Sequence, residues 1–554
     1  MVTLAAKSAP RPRRRLRIAA ILSLVFTGCF VLAYLGILRL TRIDPPPAPD
    51  GTVYPPVEVR GERSYAGANY LTRERGIWEW HLAGAPFDMG YAHGRLGNRL
   101  ITETDDYMFR EMDRYVPSRI AMWLIRIGVR LRYRHLADHV PLDRQLEIAG
   151  QAAGYRDLHA DFLPTFHRMI FYHALHDITQ GLEHSPLLGC SAFAAAGAAT
   201  ENGHTLIGRN FDFEGPEPFD REKAILFFKP AGKIPFASVA WTGMTGVVTG
   251  INAEKIFVSL NAARTDDKGK DGIPVEILTR EIMENARSID DVFRMVKDSP
   301  VMVPDFYLVA DGKTGESAVI ERSPSKIEIR RSRDLTVLAN HALLPAFAGD
   351  RENEHLKTYL TSGARFVRLN ELVNAAHGHL DVPGVLAILR DRKGQGGAPL
   401  GLGNRNALDA IIATHSVVVD ATDLTIWVSQ GPHLIGQYIG YDLRKELLGE
   451  DRKDPAPLPP DALAGTPELR SFLQATDELR AADKLKTADP TRAIEGAEKA
   501  IALQPAMPEP HKLLGDLLRT RDPKRARAEY QTFLSLSPPY RSEIEQVQAA
   551  LAAP

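Results

Sequence analysis

Between Ile18 and Leu38 the chain reads IAAILSLVFTGCFVLAYLGIL, 21 residues without a charge. As a helix rising 1.5 Å per residue, this stretch matches the roughly 30 Å hydrocarbon core of a bilayer. It therefore sets the plan of the whole chain, with an anchor first and every folded domain after it. Lys7, Arg11, Arg13, Arg14, Arg15 and Arg17 precede the run, while only Arg39 and Arg42 follow closely. That bias keeps the N-terminus cytoplasmic and sends everything after Pro45 to the outside, the periplasm if the source is bacterial. A cleaved signal peptide is the competing reading, but its apolar region would be shorter and would end in a small-residue cleavage site. Here the run continues for nine apolar residues past Cys29, so an uncleaved single-pass anchor is expected.

The rest of the 554-residue sequence is globular in composition, 44% hydrophobic and 25% charged. A formal net charge of -1 implies no general attraction to nucleic acid, and no nucleic-acid partner is expected. Two proline-rich breaks, DPPPAPDGTVYPP at 44–56 and DPAPLPPDALAGTP at 454–467, divide the chain. They leave an anchor with its basic stub (1–43), a linker (44–60), a large middle, a second linker (451–467) and a tail (468–554).

Cys190 is the only cysteine outside the apolar run. An exported protein with a single such thiol has no disulfide partner for it, and a free thiol in an oxidising space is either buried or used. Its surroundings favour use. Cys190 to Thr200 is small and apolar, Glu201-Asn202-Gly203 is a turn signal, and His204 to Phe211 can return as a strand. Such a hairpin brings Arg209, Asn210 and Asp212 back beside Cys190. A neighbouring guanidinium favours the thiolate, the species that attacks carbonyls.

The pattern G-C-S-x-F, then E-N-G, then G-R-N-x-D, resembles the N-terminal nucleophile (Ntn) hydrolases that include acyl-CoA:6-aminopenicillanate acyltransferase, and more distantly choloylglycine hydrolase and penicillin V acylase. Three further stretches agree in order. FDMGYAHG (Phe87 to Gly94) is similar to an element of the pro-segment in the acyltransferase group. GINAEKIFVSLNA (Gly250 to Ala262) resembles a strand pair of these enzymes, and LANHALL (Leu338 to Leu344) resembles their "TNH" segment. The resemblance covers roughly 75–435. It departs in a slightly longer Cys190 to Asp212 spacing, and in Ala253-Glu254-Lys255 where a glycine-containing turn is usual.

The resemblance implies a precursor that cuts itself between Gly189 and Cys190 by attack of the Cys190 thiol on the Gly189 carbonyl. The freed α-amine, with an unperturbed pKa of about 7.7 to 8, would then serve as the base for its own thiol. It also implies roles for the surrounding residues: Asp212 holds the amine, Arg209 supports the thiolate, and Asn261 and Asn340 donate to the developing oxyanion. Arg405 in GLGNRNALD is the candidate for a late arginine, with Asn210 and His341 behind. No cofactor or metal is expected. His159, His167, His173, His176 and His184 precede Cys190 without an H-E-x-x-H or cysteine ligand pattern, and are read as pro-segment residues.

The expected fold class is α+β, a four-layer αββα Ntn-hydrolase sandwich. A helical pro-segment (61–189) precedes the catalytic core (190–450), with apolar residues at spacings of three and four over 101–133 and 143–180. In the tail Pro490, Ala493, Ala500 and Pro505 recur as Pro523, Ala526, Phe533 and Pro538, each displaced by 33, close to the tetratricopeptide (TPR) period of 34. The repeats either bind a protein partner or form a helical extension docked on the core.

Function is expected to be hydrolysis of, or acyl transfer from, linear N-acyl amides at the membrane. The acyl chain is medium or long, as in acylated amino acids, acyl-homoserine lactones or bile-salt-like conjugates. Ile251, Ile256, Phe257, Val258, Met244 and Trp241 are expected on its acyl side. The alternatives are a catalytically inactive, membrane-tethered TPR scaffold and an ester-cleaving, lipase-like hydrolase.

Overall fold

The structure, a computed structural model, describes residues 12–180, 188–213 and 217–552. Helix α1 (Pro12–Leu40) contains the apolar run, and over Arg17–Leu40 its mean hydropathy is 2.4. By length and composition it is the one helix, among the described residues, able to cross a membrane. Ile43 then tucks into the core of the next segment.

Four short strands follow where a purely helical segment was expected: β1 (Val57–Arg60), β2 (Arg63–Ala66), β3 (Asn69–Thr72) and β4 (Trp78–Gly84). Only then come α2 (Pro86–Leu96), α3 (Asn98–Tyr115), α4 (Arg119–Arg132), α5 (Leu142–Gly154), α6 (Thr165–Tyr172) and α7 (Leu175–Gln180). Two G-x-x-x-G pairs hold α2 to α5. A Cβ at Gly90 or Gly94 would fall 1.8 or 2.1 Å from the carbonyl oxygens of Glu147 or Gln151. At Gly150 and Gly154 it would fall 2.1 and 2.3 Å from those of Phe87 and Tyr91. No side chain fits between these backbones, which gives the glycines of FDMGYAHG a packing reason.

The hairpin of β5 (Leu188–Ala195) and β6 (Leu206–Phe213) comes next, then α8 (Glu217–Arg221). The strands β7 (Lys223–Pro230), β8 (Phe236–Trp241), β9 (Thr249–Asn252) and β10 (Ile256–Ala262) lead to α9 (Val275–Asn285) and α10 (Ile289–Asp298). Next in order are β11 (Asp305–Asp311), β12 (Glu316–Arg322), β13 (Ile327–Ser332) and β14 (Leu335–Leu338). Helices α11 (Arg351–Thr358), α12 (Ser362–Ala375) and α13 (Val382–Leu389) precede β15 (Ala413–Asp420), β16 (Thr425–Ser429) and β17 (Tyr438–Asp442).

The strands form an eleven-stranded sheet, β1-β2-β3-β4-β7-β8-β9-β10-β11-β12-β13, and a six-stranded sheet, β14-β5-β6-β15-β16-β17. Alternation along each strand gives both sheets two apolar faces. Ile207, Val417 and Val419 of the smaller sheet pack on Phe227, Ile251 and Phe257 of the larger. Beyond the larger sheet, Leu278, Ile282 and Val292 of α9 and α10 cover Leu226 and Val258. Beyond the smaller, Leu369, Val373 and Val385 of α12 and α13 cover Phe193 and Val418. Four layers result, helix, sheet, sheet, helix, as expected.

The turn at Ala253-Glu254-Lys255 departs from a glycine in residue but keeps the conformation. Lys255 takes φ of +61° and ties its Nζ to the Thr422 carbonyl at 2.6 Å.

The tail comprises α14 (Pro467–Leu485), α15 (Pro490–Leu503), α16 (Pro508–Leu518), α17 (Pro523–Ser535) and α18 (Arg541–Ala552). The 33-residue displacement relates α15 to α17, each opened by an N-cap aspartate, Asp489 or Asp522, and a proline. Leu469 and Phe472 of α14 pack on Ile411 and Ile435 of the core, so the tail is docked rather than trailing.

Candidate active site

The β5–β6 hairpin sets the site through its register. Gly189 lies opposite Asp212, Cys190 opposite Phe211, and Ala192 opposite Arg209. Side chains alternate across a strand, so Cys190, Arg209 and Phe211 point into the space between the sheets, while Asn210 and Asp212 point to the helical side. Cys190 is buried at the open end of that space.

Two guanidinium groups reach Cys190 from opposite faces of β5. On the inner side Arg209, fully buried, lies with Nη2 3.9 Å from Sγ. It donates to the carbonyls of Val248 and Leu260, and its guanidinium lies 4.9 Å from the Phe211 ring centroid. On the helical side Arg365 of α12 donates from Nη1 to the Cys190 carbonyl at 2.6 Å and to Ser191 Oγ at 2.8 Å. Its Nη2 donates to Asn340 Oδ1 at 2.7 Å, and the same oxygen accepts the Cys190 backbone N–H at 2.9 Å. The sulfur, nitrogen and carbonyl oxygen of one residue thus each have a dedicated neighbour.

Asn261 and Asn340 form a reciprocal pair at strand ends. Asn261 Nδ2 donates to the Ala339 carbonyl and Asn340 Nδ2 to the Ala262 carbonyl, both at 2.8 Å. The expected oxyanion donors are therefore engaged with backbone, and Asn340 meets Cys190 through its oxygen. Arg405 sits half-buried in the loop before β15, where its charge acts on Asp212. The arginine that bonds Cys190 from the helical side is Arg365. No motif spacing marked Arg365 in the sequence; its one signal is an arginine on the first long helix after the "TNH"-like segment.

Asn210 donates to the carbonyls of Leu389 and Leu408 and accepts from Ser416, which fastens α13 to the sheet. His341 shares Ser362 Oγ with the Asn340 backbone N–H, and burial lowers its pKa to about 4.

Burial decides the protonation states. It pushes the Cys190 thiol up, against the pull of Arg209 and Arg365, so in the uncleaved chain the guanidiniums do not make a thiolate at neutral pH. Burial also raises the Asp212 carboxyl to about 7, again against Arg365 and Arg405, and leaves its Oδ1 without a hydrogen-bond partner among the described residues. Arg209 falls to about 10 and stays charged.

A cavity of about 1790 Å³ opens against the site. Phe211, Phe213, Trp241 and Met244 form its inner wall, and its outer one is shared between Tyr107, Met112, Met122 and Ile125 of α3 and α4 and tail residues such as Arg480, Lys484 and Lys512. Of the residues expected on the acyl side, Trp241 and Met244 lie here. Ile251 and Phe257 lie between the sheets, and Ile256 and Val258 under the helices. The histidines before Cys190 have separate partners: His159 with Asp106, His173 with Met169 and Thr245, and His176 near Asp305. His167 packs on Phe171, and His184 lies outside the described residues. Among the described residues His204, Asp420 and Asp423 have ligand atoms within 4.8 Å of one another, at the far end of the hairpin from Cys190.

Residues 198–398 match the family model of acyl-coenzyme A:6-aminopenicillanic acid acyl-transferase. The matched stretch includes Arg209, Asp212, Asn261, Asn340 and Arg365 and begins eight residues after Cys190. The chain is thus a relative of the Ntn hydrolases of this acyl-transferase type. It is 25% identical to an uncharacterized protein of Archaeoglobus fulgidus over 346 residues, 55% of this chain and 56% of that one. It is 26% identical to acid ceramidase of Mus musculus over 146 residues, 22% of this chain and 37% of that one. The chain spans about half the length of the curated relatives matched over the longest stretches. Among solved structures, the Caenorhabditis elegans N-acylethanolamine-hydrolyzing acid amidase ortholog aligns at 17% identity with a TM-score of 0.32, covering 42% of this chain and 93% of that one.

Proposed function

We propose that this chain is a membrane-anchored cysteine amidase or acyltransferase that opens its own Gly189–Cys190 bond and then cleaves linear N-acyl amides with medium or long acyl chains. The observation that carries the reading is the convergence of Arg209, Arg365 and Asn340 on the sulfur, carbonyl and nitrogen of Cys190. A buried nitrogen held by a side-chain oxygen is ready to become an amine. A Cβ at position 189 would meet Arg365 Nη2 at 3.3 Å, a crowding that glycine avoids.

In the first step sulfur adds to the Gly189 carbonyl carbon and the Cys190 thiol proton passes to the departing Cys190 nitrogen, with Asp212 on the opposite face of the hairpin, across from Gly189, assisting that transfer. The Gly189–Cys190 C–N bond breaks, the nitrogen takes a proton, and a thioester remains. Water hydrolyses the thioester, leaving a Gly189 carboxylate and a free Cys190 with thiol and α-amine. In turnover that amine accepts the thiol proton, sulfur attacks the acyl carbonyl, and the leaving amine departs protonated. Water or an acceptor amine then takes the acyl group from sulfur. Arg209 supports the thiolate, and the second N–H of Asn261 or Asn340 supplies the oxyanion contact. Losing such a donor typically costs about 10² to 10³ in rate.

The apolar cavity beside Phe211 and the 0% buried apolar window of α1 support a greasy substrate met at a membrane. The equivalence of α15 and α17 supports TPR-like pairs in the tail, with a protein partner on their free faces. The test is mass spectrometry of purified chain followed by an N-acyl amide series of increasing length. Two fragments meeting at Gly189 and Cys190, one uncut chain in Cys190→Ala, and rates that rise with acyl length are expected. An intact chain that turns substrate over, or activity in Cys190→Ala, would sink the reading.

A further inference from the structure

α4 leaves large apolar side chains exposed, and it is not packed as a soluble helix would be. Ile120, Leu124 and Ile125 are 74%, 55% and 47% exposed, and Tyr115 just before it is 74% exposed. The helix has no acidic residue and four arginines, Arg119, Arg126, Arg130 and Arg132. Its neighbour on one side is α1. Trp123 lies 6.0 Å from Phe30 and 5.6 Å from Tyr34 between ring centroids. Arg130 donates to Thr41 Oγ1 at 3.0 Å and to the Leu38 carbonyl at 3.3 Å.

These contacts run parallel, Trp123 beside Phe30 and Tyr34 and Arg130 beside Leu38 and Thr41, so α4 lies beside the half of α1 nearest the folded body. From Leu38 back to Phe30 is eight residues, about 12 Å of helix. That is comparable with one leaflet of a hydrocarbon core about 30 Å thick. Exposed Phe30, Leu32 and Leu35 of α1 join exposed Ile120, Leu124 and Ile125 of α4 in one apolar surface. Basic residues without acidic ones beside an apolar face fit a bilayer carrying anionic lipid. The same helix lines the outer wall of the cavity through Met122 and Ile125, and the inner wall reaches Phe211, the cross-strand partner of Cys190.

We propose that α4 is embedded in the leaflet on the side of the folded body, so that the cavity mouth opens into lipid and acyl substrates reach Cys190 laterally from the bilayer. The delivery half of this rests on the function proposed above; the docking half rests only on α1 being a span.

The test uses the full chain in nanodiscs of phosphatidylethanolamine and phosphatidylglycerol. The photoreactive residue p-benzoylphenylalanine replaces Leu124 in one sample and, as a control, exposed Lys524 of α17 in another. A lipid adduct by mass at position 124 and none at 524 is expected; no adduct at 124 overturns the docking. In the second arm, Ile120→Asp with Leu124→Asp should lower hydrolysis of a bilayer-dissolved long-chain amide at least about tenfold while sparing a water-soluble short-chain amide. An unchanged rate on the bilayer-dissolved amide overturns the delivery route. If the unaltered chain cleaves neither amide, the proposed function fails while the adduct still decides where α4 lies.

Discussion

Two groups of buried charge sit on either side of the larger sheet, and they are wired differently. Under its helical face, Arg144 of α5 and Arg280 of α9 interlock with Glu147 and Glu284. Arg144 Nη2 meets Glu284 at 3.1 Å, while Arg280 meets Glu147 at 3.2 Å and Glu284 at 2.7 Å, all essentially inaccessible to solvent. Arg280 also lies 3.9 Å from the Phe228 ring centroid. Every charge there faces an opposite one, and the cluster ties the segment before Cys190 to the core. At the site, Arg209, Arg365 and Asp212 are just as buried, yet among the described residues none is ion-paired. The arginines are turned on backbone carbonyls and on Cys190, and Asp212 is left near neutrality. Closed charge pairs make an immobile joint; the same charges held apart leave a carboxyl free to change its protonation state near pH 7.

The contrast can be broken most directly at Asp212. Asp212→Asn should slow self-cleavage by about 10² to 10⁴, the usual range for losing a group that assists proton transfer, as followed by gel or mass spectrometry after synthesis. In the unaltered chain the cleavage rate should rise with pH and reach half its plateau near pH 7, where the Asp212 carboxyl ionises. Stability should move the other way. Folded Asp212 keeps a proton that the unfolded chain has lost above about pH 4, so this group's contribution falls as pH rises from about 4 to about 7. Thermal unfolding at pH 8 should therefore find Asp212→Asn no less stable than the parent; a large drop in Tm would mean that Asp212 is a joint after all.

The closed cluster should answer in the opposite manner. Glu147→Gln leaves two buried arginines to share the Glu284 carboxylate and should cost about 3 to 5 kcal/mol in denaturant unfolding, the scale for breaking a buried pair. Protein that still folds should keep the same pH midpoint of cleavage. The smallest effect belongs to the tail, where neither kind of cluster exists. Asp489→Ala or Asp522→Ala removes one N-cap and should cost about 1 kcal/mol locally, read by hydrogen exchange in α15 or α17, with cleavage unchanged.

How much of this was legible follows physical lines. Ile225 to Phe228, Phe236 to Trp241 and Phe306 to Asp311 stand out in the sequence as near-continuous apolar runs because both faces of those strands are buried. The four strands from Val57 to Gly84 were hidden since β1 to β3 have four residues each and β1 is wholly exposed, which leaves no period to read. Cys190, Arg209 and Asp212 share one hairpin, so their proximity is a short-range fact. Arg365 is brought to Cys190 by α12 across 175 residues of sequence. Asn340 was legible as a site residue but not in its orientation, because which end of an amide faces a neighbour depends on that distant arginine. That burial opposes a thiolate beside Arg209 in the intact chain was not legible for a related reason: proximity can be read from a hairpin, desolvation cannot.

The seven-residue parallel ladder of β4 on β7 is the one place where strands from before Cys190 enter the sheet built after it. A backbone cut at Gly189 would leave this ladder whole, with β1 to β4 still hydrogen-bonded to the piece they no longer share a chain with. The two products would be kept together as a woven seam, and pulling them apart would strip β7 to a bare edge able to recruit strands from other molecules. Maturation by such a cut would be a change of connectivity without a change of partners, and the severed piece would remain a permanent subunit.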